Sequence, residues 1–225
     1  MQVKTCAARL WWAAVVLLAA LLAWRTNPAT ALRYQYEFYN NKPVASGEYR
    51  LQSIRLPGGF RVQRVTAQQV RGLQNGVLVL AYPTCPYCRN LMPELAAAAK
   101  AAGVKLYYCE LDQYRDVYTY DKASGTLTQT KPAGEGYAAL LAWLDEYAQE
   151  YRVKTPDGSE LPVGEKRLGA PTLVRVRENQ PVSGWNLSSV QNVNYPQNKY
   201  ERWDAETQER VYASLLQYLN EENET

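Results

Sequence analysis

The chain has 225 residues, 47% hydrophobic and 21% charged, enough for one globular domain with extensions and a sizeable core. Its net charge of +3, with no cluster of Arg or Lys interleaved with aromatics, gives no sign of nucleic-acid binding. Histidine is absent, which excludes Cys-His proteases, Ser-His-Asp hydrolases and His-ligated zinc enzymes; four cysteines remain, at 6, 85, 88 and 109.

Lys4 and Arg9 precede an uncharged run from Leu10 to Trp24, which Arg25 closes. The pattern predicts a segment that meets a membrane. Trp11, Trp12 and Trp24 suit interfacial anchors, and counted from Ala7 the segment reaches the lower range for a transmembrane helix, ~17–25 residues. "ATA" at 29–31 also suits signal-peptidase cleavage, which would release a secreted protein beginning near Leu32. Residues 1–31 are thus expected to be a cytosolic stub with a signal anchor, or a signal peptide. In both cases the positive-inside rule puts the rest of the chain outside the cytosol.

Residues 26–60 are polar and broken by Asn27-Pro28, Asn40-Asn41, Pro43, Gly47 and Pro57-Gly58-Gly59, which predicts over 32–60 an extracytoplasmic linker with short strands at best. Residues 31–75 hold seven Arg or Lys and two Glu, which reads as a solvated basic face. "RVQRV" from 61 alternates like a strand, and Thr66 is placed to cap a short helix over "AQQVRGLQ". "VLVLAY", 77–82, predicts a strand buried on both faces, followed by a helix from Cys85 to Ala102 closed by Gly103. "VKLYYC", 104–109, completes a strand–helix–strand crossover with parallel strands.

Residues 113–136 predict an inserted hairpin around Ser124-Gly125. Leu140, Leu141, Leu144, Tyr147 and Tyr151 fall at helical spacing and predict a helix over 137–152, then a polar loop containing Pro156, Gly158, Pro162 and Gly164. "GAPTLVRVRENQPVSGW" predicts two strands with a turn at 178–180, and 203–220 a closing helix striped by Val211, Leu215, Leu216 and Leu219. The expected class is α/β, a central mixed sheet flanked by helices, with residues 61–225 as one domain.

"TCPYC" at 84–88 carries the chemistry. A disulfide between Cys85 and Cys88 closes a very small loop, so it restricts the unfolded chain little and is better suited to being made and broken. With Pro86 at the first helical position, the N–H groups of Tyr87 and Cys88 point toward the Cys85 sulfur, and the helix dipole favours its thiolate. Thiolates so placed have pKa values of ~3.5–7.5 rather than ~8.5. Cys85 is then the exchanging sulfur and Cys88 the resolving one. Structural zinc needs four ligands and only Cys109 remains on the same side of the membrane, so no metal or other cofactor is expected beyond the redox-active pair. Cys109 itself reads as a small buried residue at a strand end.

The strand "VLVLAY", the "TCPYC" that opens a helix, Pro93 five residues after Cys88, and "GAPT" at 169–172 before a hairpin together resemble the thioredoxin superfamily. The resemblance covers about residues 61–220 and implies a thioredoxin-like fold. It also implies a cis proline at Pro171 beside the pair, with Pro86, Tyr87, Ala170, Pro171 and Thr172 supporting the site and Ala170 and Thr172 offering backbone groups to an extended partner. More narrowly, the membrane-proximal run with "PTCPYCRNLMPEL" and "KLYYCELD" resembles the bacteriocin transport accessory proteins of Gram-positive bacteria. This sequence has Val79 where thioredoxin has a buried Asp and Thr84 where it has a Trp. Resolution is therefore expected to lean on water, or on Glu110 or Asp112.

The implied activity is thiol-disulfide exchange with exported thiol- or disulfide-containing proteins or peptides, by a monomer held at the membrane through residues 10–24. The alternative is a non-catalytic thioredoxin-like module that holds a peptide within an export or immunity complex.

Overall fold

The computed structural model describes residues 27–194 and 196–221, with Trp12 and Val15. The expected anchor over 10–24 otherwise lies outside the described residues, among which no helix is long and apolar enough to cross a membrane. In chain order the main elements are α1 (Pro28–Phe38), β1 (Arg61–Arg64), β2 (Gly76–Ala81), α2 (Pro86–Ala102), β3 (Lys105–Glu110), β4 (Val117–Asp121) and β5 (Thr126–Lys131). There follow α3 (Tyr137–Trp143), β6 (Ala148–Lys154), β7 (Glu160–Leu168), β8 (Thr172–Arg177), β9 (Gln180–Trp185) and α4 (Ala205–Asn220).

Five strands form one mixed sheet in the order β1-β3-β2-β8-β9. The first three are parallel, β8 runs antiparallel to β2, and β9 antiparallel to β8. The apolar run of β2 is central because alternate side chains are buried on opposite faces. Val77, Val79 and Ala81 meet α1, α2 and α4 on one side, whereas Leu78 and Leu80 meet Leu140, Leu144 and Val70 on the other. The α2 helix ends as its sequence requires: Gly103 takes the left-handed conformation (φ 69°) and its N–H bonds back to the last turn. Glu178 and Asn179, both at positive φ, make the two-residue turn that joins β8 to β9.

The linker reading of residues 32–60 is corrected. Asn27-Pro28 begins a helix instead of breaking the chain: the Asn27 side chain accepts from the N–H groups of Ala29 (3.0 Å) and Thr30 (3.3 Å), and Pro28 takes the first turn. Leu32 and Tyr36, one turn apart, are fully buried, and Ile54, Leu56 and Phe60 join the same cluster. Asn40 ties the two parts, donating to the Ile54 carbonyl (2.9 Å) and accepting from its N–H (3.0 Å). Residues 28–60 therefore contribute to the same hydrophobic core as α2 and α4.

The helix expected over 137–152 is also corrected. It stops at Trp143, a single 3₁₀ turn spans Asp145–Tyr147, and Tyr151 lies in β6. The expected polar loop is largely β7, which pairs with β6 around a turn at Pro156–Gly158 and carries Pro162 in a two-stranded sheet with a register shift. The hairpin expected within 113–136 is present as β4 and β5. The short helix after Thr66 shrinks to a 3₁₀ turn at Val70–Gly72, although Thr66 and Gln69 do cap one another.

Candidate active site

β2 delivers Tyr82, Pro83 and Thr84 to the start of α2, and Cys85 stands at the helix N-cap. Its N–H donates to the Tyr82 carbonyl (3.2 Å), while its sulfur accepts the Cys88 N–H (3.2 Å) in the place a capping oxygen usually fills. The same sulfur donates to the Ala170 carbonyl at 3.4 Å, and the Ala170–Pro171 peptide bond is cis. Cys85, Cys88 and Cys109 are free thiols. Cys85 is 2% exposed and Cys88 is fully buried.

The two thiols are driven apart electrostatically. Burial raises Cys85, but hydrogen bonds from the Cys88 thiol and from the N–H groups of Cys88 and Tyr87, with the Arg115 charge, outweigh it and hold Cys85 below the ordinary thiol value. Burial pushes Cys88 well above that value, reinforced by its hydrogen bond to Cys85 and the charge there. Cys109 lies on the opposite face of the sheet, where burial and then Glu110 push it up to about 12. Beside Cys88, in the same cluster as Val79, the buried Tyr36 and Tyr108 hydroxyls meet at 3.3 Å. Burial raises both phenols, so both stay protonated at neutral pH. Glu110 accepts from Gln35 (2.7 Å) and pairs with Arg64, and the charges acting on Cys88 are those of Cys85 and Arg115.

A buried cation braces the first turns of α2. Arg89 donates to the carbonyls of Gln52, Tyr36 (3.0 Å) and Pro83 (2.8 Å) and to the Asn40 side chain. Burial lowers its guanidinium to about 10, which leaves it charged at neutral pH. Pro93, inside α2, has no N–H for the Arg89 carbonyl four residues back, and Arg202 supplies the missing donor at 3.1 Å. Gln52 completes the brace by donating to the carbonyls of Pro86 (3.1 Å) and Lys199 (2.8 Å).

A groove of about 520 Å³ runs beside this turn, lined by Tyr87, Ala170, Pro171, Thr172, Tyr147 and Trp185, among others. Tyr87 is 51% exposed at its rim. Gly184 sets the far wall, since a Cβ there would lie 2.4 Å from the Tyr147 ring. Of the residues singled out from the sequence, Cys85, Cys88 and Ala170 meet directly, while Tyr87, Ala170, Pro171 and Thr172 line the groove. Pro86 starts the helix, its carbonyl held by Gln52. Sequence reasoning missed Tyr36, Tyr82, Tyr108, Arg89 and Arg115. An Arg directly after Cys88 in a buried helix was the one local signal among them. Among the described residues no group of three or more Cys, Asp or Glu is gathered to hold a metal.

These features define an α/β protein with a thiol pair at a helix start, set beside an exposed groove. No family model matches the chain, and comparison with curated proteins and with solved structures also gives no match.

Proposed function

We propose that the chain is a thioredoxin-like thiol-disulfide oxidoreductase that exchanges disulfides with exported proteins or peptides through Cys85 and Cys88. The observation that carries this reading is the Cys85 sulfur accepting the Cys88 N–H at the start of α2, with the Ala170 carbonyl 3.4 Å away. A thiol held below its ordinary pKa attacks, or is attacked, more readily than its buried neighbour, which is then left to resolve the mixed disulfide. The strand order and the sequence "TCPYC" with "GAPT" support the thioredoxin-like assignment. The uncharged run at 10–24 supports work at the outer face of a membrane, where disulfides persist. The bacteriocin transport accessory resemblance suggests disulfide-containing peptides as the partner class.

One observation favours the alternative of a non-catalytic peptide-holding module: Cys85 is only 2% exposed beside an open groove. The two readings part on one experiment. In the oxidoreductase reading, Cys88→Ser accumulates a mixed disulfide with its partner, seen as a reductant-sensitive shift on a gel, and Cys85→Ser does not. If Cys88→Ser captures nothing and the parent chain fails to turn over a reduced peptide, the module reading replaces it.

A further inference from the structure

A Cys pair oxidises its partners more strongly when its reduced form is stabilised, and a fixed cation beside the thiolate does this. Arg115, whose charge acts on both Cys85 and Cys88, is the cation placed for this role. It follows the 3₁₀ turn at Leu111–Gln113, lies half-buried, and donates to the Tyr82 hydroxyl at 2.7 Å. Its guanidinium carbon sits 4.8 Å from the centre of the Tyr82 ring. Tyr82 is itself tied to the pair through its carbonyl, which accepts the Cys85 N–H at 3.2 Å.

Among the described residues Arg115 makes no ion pair, so no carboxylate cancels its charge at contact. Two carboxylates stand nearby without pairing with it: Asp112, which burial and then Glu110 raise and the charges of Lys131 and Arg115 lower, and the buried Asp116, whose carbonyl holds a second cation, Arg167, at 2.7 Å. On the other side of the pair stand Val79 and the protonated Tyr36 and Tyr108, with the Glu110 carboxylate acting on Tyr108 and paired with Arg64.

We propose that Arg115, positioned by Tyr82, biases the Cys85–Cys88 pair toward oxidising dithiol peptides. This rests on the oxidoreductase reading. A partner thiolate attacks the Cys85 sulfur of the oxidised pair, the Cys85–Cys88 bond breaks, and Cys88 leaves as a thiolate that takes up a proton. The partner's second thiolate then attacks its own sulfur in the mixed disulfide and releases the Cys85 thiolate. The partner loses two electrons to the pair, and its two protons pass to Cys88 and to solvent. An external disulfide, such as oxidised glutathione, restores the pair.

The full chain and its Arg115→Met, Arg115→Lys and Tyr82→Phe variants are equilibrated with reduced and oxidised glutathione, and thiolate absorbance is followed against pH. Arg115→Met is expected to favour the intramolecular disulfide about tenfold more than the parent does, ~30 mV, and to move Cys85 ionisation to higher pH. Arg115→Lys keeps most of the parent behaviour, and Tyr82→Phe, which removes only the hydroxyl that holds Arg115, shifts less in the same direction. An Arg115→Met equilibrium within about twofold of the parent, with unchanged thiolate titration, overturns the proposal; should that variant not fold, unchanged values in Tyr82→Phe do so. A parent chain that never equilibrates with glutathione overturns the oxidoreductase reading as well, and is thereby told apart.

Discussion

At the residue scale, the site depends on a cation that pairs with no carboxylate among the described residues. Arg89 is fully buried and satisfied by backbone carbonyls and one side-chain amide from three separate segments. Each buried acceptor left without a donor costs about 1–3 kcal/mol. Arg89→Met is therefore expected to destabilise the fold by roughly 3 kcal/mol or more, read as a lower urea midpoint. A loss below about 1 kcal/mol would show that water replaces the guanidinium freely. Neither Arg89 nor Arg115 could be assigned a role from the sequence, because their partners lie on segments the chain brings together only in three dimensions. Cys85 and Cys88 were legible because their relation is local: three residues and one helix start fix it.

At the element scale, α4 shows how a terminus couples to pH. Asp204 accepts the Thr207 N–H at 2.7 Å, and this bond, with help from the Thr207 hydroxyl, holds its carboxyl below the usual value. A depressed carboxylate stabilises the fold above its unfolded value of ~3.9, and that contribution is lost as pH falls through the lower folded value. Asp204→Ala should melt below the parent at neutral pH, with the gap closing in acid. A gap that stays constant down to strong acid would remove Asp204 from the account. Elements were legible where periodicity was unambiguous, as in β2 and α4. The stretch 137–152 failed because Leu140, Leu144, Tyr147 and Tyr151 keep helical spacing across a break, and the pairing that makes 148–154 a strand comes from β7. The helix over 28–38 was not legible because Asn-Pro marks a break in the chain as readily as a cap and first helical residue.

At the scale of the whole molecule, residues 28–60 are structural. Leu32, Tyr36, Ile54, Leu56 and Phe60 are buried against α2 and α4, and each such side chain contributes about 1.5–3 kcal/mol. Their sum approaches the entire stability of a typical domain, ~5–15 kcal/mol. A chain begun at Arg61 is expected to lack a cooperative melt, whereas one begun at Asn27 should keep it. Equal melting of the two by near-UV circular dichroism would contradict the shared core. The same closure reaches the sulfur. Cys85 donates its proton to the Ala170 carbonyl, from a segment far along the chain. That bond exists only while the thiol is protonated, so the carbonyl opposes, without overturning, the donors that hold Cys85 below the ordinary thiol value. A partner whose own N–H takes the Ala170 carbonyl competes with the Cys85 proton for one oxygen. Under the oxidoreductase reading proposed above, docking at the groove and release of the Cys85 proton would then be linked through that one oxygen.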